Sequence, residues 1–78
     1  QELWVQFADK EAFFKEEDAL KGILTSYPGK NPVVIYCKTE RAVNRLGRDY
    51  MVSGDENLLF DLEKRYGKEN IRVRSLGI

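Results

Sequence analysis

The chain contains no histidine, one cysteine and two prolines among its 78 residues. Without histidine it lacks the commonest general base and the commonest protein ligand for transition metals. Its single cysteine, Cys37, excludes an internal disulfide and a zinc site made of several thiolates. No apolar run approaches the length of a membrane-spanning helix, and no signal-peptide pattern opens the sequence. We therefore expect a domain that needs no metal or cofactor and works in a reducing, cytoplasmic setting.

The sequence also lacks a recognisable catalytic arrangement. The pairs Gly29-Lys30 and Gly67-Lys68 follow predicted helices, whereas a phosphate-binding loop must precede a helix so that the N-terminal amides face the phosphate. The acidic residues 16–18 are predicted to lie on a solvated helix. Without burial their carboxyls have no reason to differ in pKa, so one cannot serve as the acid and another as the base. Cys37 has no histidine to activate it and falls in an apolar strand. The domain itself is therefore predicted to have no enzymatic activity.

What the sequence does contain is typical of a small globular domain. Hydrophobic residues make up 42% of the chain and charged residues 33%, a balance that excludes a disordered chain. A length of 78 residues supports one domain, near the lower limit for a core without covalent staples. Because the first predicted strand starts almost at residue 1, we expect the domain, residues 1–78, to be a fragment of a larger protein.

The hydrophobic pattern predicts two successive strand-helix-strand units. Residues 3–8 alternate as a strand does, and Asp9 is placed to cap a helix that continues to about Tyr27. The apolar run 32–37 indicates a central strand. Residues 42–46 are predicted to pair with it as a third strand, which residues 50–52 continue after a bend. Ser53 and Glu56 fit a capping box for a second helix, which ends at Tyr66 before a last strand. Gly29 and Gly67 are both predicted to end their helices in the left-handed conformation.

The order β-α-β-β-α-β predicts an α+β domain of the ferredoxin-like type, with a four-stranded sheet and two helices on one face. The side chains expected in the core between helices and sheet are Phe13, Leu20, Leu24, Leu58, Leu62, Ile71 and Val73. By the alternation of strand residues, the uncovered sheet face is expected to carry Trp4, Gln6, Val34, Tyr36, Arg72 and Arg74. This uncovered face is the first candidate for a binding surface.

Aromatic and basic side chains on an open sheet suit two kinds of partner. Trp4, Tyr36, Arg72 and Arg74 are candidates for a protein interface, because aromatic residues and arginine dominate binding hot spots. RNA-recognition domains instead stack bases on aromatics of such a sheet, and Trp4 stands where the first would be. However, residues 45–50 lack the aromatic-rich signature of the third strand, and the net charge is zero. The two aromatics could equally pack against a terminal segment or the rest of a larger protein.

Two further aromatics, Phe14 and Phe60, lie off the apolar stripes of their predicted helices. They are candidates for a protein interface, where aromatics are enriched, and partial burial at a helix edge is the alternative. The charges are also sorted along the chain. Residues 1–27 carry six acids and three bases, and residues 28–48 carry five bases and one acid. The predicted domain thus has an acidic helical side and a more basic sheet side, which either steers partners or simply keeps the surface soluble.

The order of turns and core positions resembles the extreme C-terminal domain of the alpha (catalytic) subunit of bacterial DNA polymerase III. The segments that carry this resemblance are Tyr27-Pro28-Gly29, Pro32-Val33-Val34-Ile35-Tyr36, Arg45-Leu46-Gly47, Tyr50 with Val52, Leu58-Leu59 with Leu62, Tyr66-Gly67 and Asn70-Ile71-Arg72-Val73. Together they cover nearly the whole chain from Leu3 to Val73. They mark structural turns and core positions, so the resemblance carries over no binding residue.

The resemblance implies a non-catalytic module in DNA replication. In that family this region follows an oligonucleotide-binding fold and helps to hold the polymerase to the clamp loader through the tau subunit. The parent chain would be a DNA-directed DNA polymerase, a nucleotidyltransferase, whose metal-binding aspartates lie outside this segment. We therefore expect a protein-interaction module, with single-stranded nucleic-acid binding as the alternative on the same fold.

Overall fold

A computed structural model describes residues 1–75, which form a four-stranded sheet covered on one face by two helices. The elements in chain order are β1 (Glu2–Phe7), α1 (Lys10–Thr25), β2 (Pro28–Asn31), β3 (Val33–Cys37), β4 (Ala42–Arg45), α2 (Glu56–Tyr66) and β5 (Ile71–Arg74). Single turns of 3-10 helix at Arg48–Tyr50 and Lys68–Asn70 lead into the segments that follow them. The predicted α+β class is confirmed. Within residues 1–75, neither helix combines the length and apolarity that crossing a membrane requires.

The sheet is mixed, with the strand order β4-β3-β1-β5. The central strands β1 and β3 are parallel, and β4 and β5 are antiparallel edge strands. The element order and the single helical layer are consistent with the predicted ferredoxin-like arrangement. In the chain, α1 and the short β2 lie between β1 and β3, and in the sheet these two strands are direct neighbours. The short strand β2 stands outside this sheet, and Pro28 and Asn31 at its two ends form bridges with Val52.

The core fills the space between the two helices and one face of the sheet. Every second residue of β1 and β3 points into it, because side chains of a strand alternate between the faces. All five helical residues predicted for the core are buried, and they are Phe13, Leu20, Leu24, Leu58 and Leu62. Ile71 is buried as predicted. Val73 shares its face but remains 47% exposed, because it lies on the edge strand β5 near its end.

The start of α1 was predictable from its sequence and the start of α2 was not. Asp9 caps α1, and its carboxylate accepts a hydrogen bond from the Ala12 N–H at 2.8 Å. The predicted capping box at Ser53 is wrong, because Asp55 caps α2 and accepts from the Asn57 N–H at 2.8 Å. The Ser53 hydroxyl instead accepts a hydrogen bond from the Asp55 N–H. Helix α1 ends at Thr25, two residues before the predicted end.

The two glycines predicted as helix caps have different roles. Gly67 adopts a φ of 93° and donates its N–H to the Glu63 carbonyl, so this prediction is confirmed. Gly29 lies in β2, not in a left-handed cap. A Cβ at Gly29 would lie 2.4 Å from the Ser53 nitrogen, so only glycine allows the two backbone segments to cross this closely. The segment around Val52 pairs with β2 at this crossing and does not continue β4 as predicted.

Candidate interaction surface on the open sheet face

The sheet face opposite the helices, hereafter the open face, brings together the aromatic and basic residues predicted from the sequence. Trp4 lies opposite Val34 of β3 and opposite Arg72 of β5. Residues opposite each other in a sheet project to the same side. The same register gives the full set of residues on this face as Glu2, Trp4, Gln6, Val34, Tyr36, Val43, Arg45, Arg72 and Arg74. The four sheet residues singled out as candidates, Trp4, Tyr36, Arg72 and Arg74, therefore share one surface.

Trp4 is half-buried, and two neighbours on the open face hold its side chain. Its indole Nε1 donates a hydrogen bond to the Glu2 carboxylate at 3.1 Å. The guanidinium of Arg74 lies over the indole ring, with its carbon 5.0 Å from the ring centroid. This is the distance of a cation–π contact, in which the guanidinium is attracted to the negative face of the ring. The orientation of Trp4 is therefore set before any partner arrives.

Glu2 is a buried acid on this face, and sequence reasoning missed it. The residue is only 5% exposed and forms an ion pair with Arg45 of the edge strand β4. Hydrogen bonds from Trp4 first, and then from Arg45, hold the pKa of the Glu2 carboxyl below its usual value of 4.5. Its position two residues before Trp4 was a usable signal, because alternation places both on one face. The partner Arg45 depends on the strand order, which the sequence pattern alone does not specify.

The Glu2–Arg45 ion pair reaches across β3, the strand that separates β1 from β4. Val34 lies directly between Trp4 and Arg45 in the sheet register, and it has no exposed surface. The prediction that Val34 belongs to this face is confirmed, but its side chain is covered by its neighbours. The surface that a partner meets at this point is consequently formed by the tryptophan and the arginines.

The other half of the open face is arranged around Gln6. Its side-chain amide donates to the Asn70 side-chain oxygen at 3.1 Å, and Asn70 in turn donates to the Tyr66 carbonyl at 2.6 Å. Tyr36 lies opposite Gln6 on β3 and is half-buried, and its neighbour on β4 is the exposed Val43. These hydrogen bonds fix the polar side of the face and leave Tyr36 with Val43 as its apolar side.

The open face is basic. Arg45, Arg72 and Arg74 contribute three positive charges and Glu2 one negative charge, a sum of +2. Arg72 and Arg74 form no ion pair within residues 1–75. Each helix, counted with its capping aspartate, carries a net charge of −2, from five acids and three bases in residues 9–25 and from four acids and two bases in residues 55–66. The acidic and basic sides predicted from the sequence therefore coincide with the two sides of the sheet.

Phe14 lies on α1 and Phe60 on α2, and each is strongly exposed, at 63% and 64%. The ring of Phe14 contacts the ring of Phe13, with 5.8 Å between the two centroids. Each of the two residues is covered over about a third of its surface and presents the rest to solvent, so both alternatives stay predictions.

The acidic residues of α1 form ion pairs within the fold, and the thiol of Cys37 is buried. Glu16 forms an ion pair with Arg65 that joins the two helices at 2.8 Å, and this contact lowers the pKa of the Glu16 carboxyl. Glu17 pairs with Lys21 one helical turn away. Burial raises the pKa of the Cys37 thiol. Within the described part of the chain, no three side chains of the metal-ligating types gather at one point.

The fold and the open face together define a small α+β domain with an acidic helical side and a basic, aromatic sheet side. No known sequence family, curated protein or solved structure matches the chain.

Proposed function

We propose that this domain is a non-catalytic protein-interaction module whose open face binds a partner protein. The observation that carries the proposal is the orientation of Trp4, which is fixed by a hydrogen bond to Glu2 and a cation–π contact with Arg74. A half-buried aromatic beside arginines is typical of a binding hot spot. Because its orientation is already set, less side-chain entropy is lost when a partner covers it.

The resemblance to the alpha subunit of bacterial DNA polymerase III supports a specific setting for this module. We propose that it lies at the C-terminal end of such a polymerase, in the cytoplasm, and helps to couple the polymerase to the clamp loader through tau. Residues 1–78 are then part of a longer chain whose nucleotidyltransferase centre lies elsewhere. The quoted segments include buried positions such as Val33, Leu58 and Leu62, so the resemblance concerns the framework of the fold.

Calorimetric titration of the domain with purified tau subunit tests this function. Trp4→Ala should weaken binding by more than about 1 kcal/mol, as truncation of a hot-spot residue does. Phe60→Ala is the matched control, because it removes an exposed aromatic from the opposite side of the domain. Absence of binding by the unchanged domain, or equal affinities of the two variants, would refute the proposal. Circular dichroism of both variants establishes that each remains folded.

Single-stranded nucleic acid is a second candidate partner, because three arginines share the face with Trp4 and Tyr36. Bases could stack on the aromatics while the arginines contact phosphates. Against this, Arg74 already lies over the Trp4 ring. Titration with single-stranded DNA at low and moderate salt separates the two functions. Binding through phosphates weakens steeply with salt, whereas a largely apolar protein contact changes little.

A further inference from the structure

A second surface lies on the helical side of the sheet, along the edge strand β4. A cleft of about 270 Å³ opens there between the first turns of α1 and the sheet. Phe13 and Phe14 line it from the helix, and Ile35, Cys37, Ala42 and Asn44 line it from the sheet. Most of the Phe14 side chain remains exposed at this cleft. The surface is therefore a mostly apolar groove that runs beside a sheet edge.

The backbone of β4 has hydrogen-bonding groups that face away from the sheet. The strand pairs with β3 on one side, and no strand within residues 1–75 pairs with its other side. The Leu46 N–H donates to the Val33 carbonyl at 3.0 Å. Since bonded pairs alternate along an antiparallel ladder, Asn44 and Ala42 also bond to β3. The N–H and C=O groups of Val43 and Arg45 consequently point outward, where another strand could pair with them.

An added strand beside β4 could use both the outward backbone groups and the groove. A new strand beside β4 would lie about 4.8 Å from it, and its side chains would alternate between the two sheet faces. Every second side chain would therefore point to the side of the sheet on which the groove opens. A bulky apolar side chain there would contact the exposed ring of Phe14. An extended segment can thus satisfy the backbone and fill the groove together.

The charges around β4 indicate what kind of segment fits. Residues 38–48 contain the bases Lys38, Arg41, Arg45 and Arg48 and the acid Glu40, and since Arg45 already pairs with Glu2, the remaining groups sum to +2. All four bases are exposed, and Lys10 adds another base at the cleft. An acidic segment is attracted to this edge. A second copy of β4 would bring the same bases together, and opposed like charges destabilise a strand pair.

We propose that the edge of β4 binds an acidic, extended segment of a partner protein, which extends the sheet and places an apolar side chain in the groove against Phe14. This site is distinct from the open face and does not depend on the function proposed for that face. The open face would present its aromatics to a folded surface, whereas the β4 edge would hold a short linear peptide by main-chain hydrogen bonds.

A synthetic peptide in which Glu alternates with Ile around one central Phe is the probe for this site. In nuclear magnetic resonance titrations it should shift the amide signals of Val43 and Arg45. Phe14→Ala should weaken its binding at least about tenfold, since the apolar contact is lost. Phe60→Ala is the matched control, because the two phenylalanines are equally exposed and only Phe14 lines the groove. Equal affinities of the two variants would overturn the proposal.

Backbone-methylated peptides test the added strand itself. Methylation of every second amide should abolish binding for one alternate set and preserve it for the other, because only one set faces β4. Equal effects of the two sets would exclude strand addition. A peptide with Lys in place of Glu should bind at least about tenfold more weakly, and equal binding would refute the acidic specificity. Sedimentation should show a monomer, and a dimer that the acidic peptide does not dissociate would identify a second copy as the occupant.

Discussion

The indole Nε1 of Trp4 donates a hydrogen bond to the carboxylate of Glu2, which lies two residues earlier on the same strand and the same sheet face. The same carboxylate pairs with Arg45 across the intervening strand. One acid thus connects the candidate binding residue on β1 to the edge strand β4. Because this acid is nearly inaccessible to solvent, its charge matters for the stability of the sheet.

We predict that Glu2 stabilises the domain in a pH-dependent way. Its folded-state pKa is depressed, so its contribution is fully present above the unfolded value near 4.5 and is lost as pH falls through the folded value. Glu2→Gln keeps an oxygen that can accept from Trp4 but removes the charge. The variant should be less stable than the unchanged domain at pH 7, and the difference should shrink below about pH 4.5. Urea denaturation of the variant and the unchanged domain from pH 7 to below about pH 4.5 measures the stability difference and its decrease.

Glu11→Gln is the control for this experiment. Glu11 pairs with Lys15 on the surface of α1, where both side chains are largely exposed. Exposed ion pairs contribute little, so this variant should change stability by less than about 1 kcal/mol. If the two variants behave alike at every pH, the Glu2 carboxylate has no special role in stability.

Leu62→Ala should destabilise the domain by about 2–5 kcal/mol, because Leu62 has no exposed surface and its truncation leaves a cavity in the core. In a domain of this size that loss could unfold much of the population. Phe60→Ala, two residues earlier on the solvent side of the same helix, should change stability by no more than about 0.5 kcal/mol. Thermal denaturation of both proteins measures the contrast, and similar melting temperatures would contradict the packing of α2.

Two glycine substitutions should have opposite effects. Gly29→Ala forces a Cβ to within 2.4 Å of the Ser53 backbone nitrogen, so it should destabilise the domain by more than about 1 kcal/mol. Gly22→Ala lies in the exposed face of α1 with no atom within 4 Å of the new Cβ. It should stabilise the domain by about 0.5–1 kcal/mol, because alanine favours the helix. Urea denaturation of both variants tests the sign, and a neutral Gly29→Ala would show that the crossing segments separate easily.

The cap of α2 can be assigned by a third pair of variants. Asp55→Ala should cost about 1 kcal/mol of folding free energy, because the Asn57 N–H loses its acceptor at the helix start. Ser53→Ala should cost less than about 0.5 kcal/mol, since the Ser53 hydroxyl accepts one exposed bond outside the helix. The reverse order of effects in chemical denaturation would restore Ser53 as the capping residue.

The sequence predicted a structural feature correctly where that feature depends on the spacing of residues within one helix or strand. The cap at Asp9 and the open-face position of Trp4 follow from local spacing, and both were predicted correctly. The segment from Ser53 to Glu56 offers two good capping residues in succession, and nothing local chooses between them. Gly29 and Gly67 follow similar patterns, but the role of Gly29 depends on a chain segment far along the sequence.

On the open face, too, features set within one strand were predictable and features that depend on the strand order were not. Alternation predicted that the two aromatics and the two arginines share a face, because each strand was assigned in the correct phase. The Glu2–Arg45 pair was not predictable, since it requires knowledge that β4 lies beyond β3 and of their register. The groove beside β4 was likewise invisible, because its walls come from three separate elements.

Trp4 is the sole tryptophan of the chain, and its indole N–H is already engaged by a carboxylate. The intrinsic fluorescence of this domain therefore originates largely at the centre of the open face. A partner that covers that face would remove water from the indole and shift its emission to shorter wavelength. A segment bound along the outer edge of β4, which β3 separates from the strand of Trp4, would leave the emission nearly unchanged. The domain thus carries a built-in optical reporter that distinguishes occupancy of its two surfaces without any attached dye.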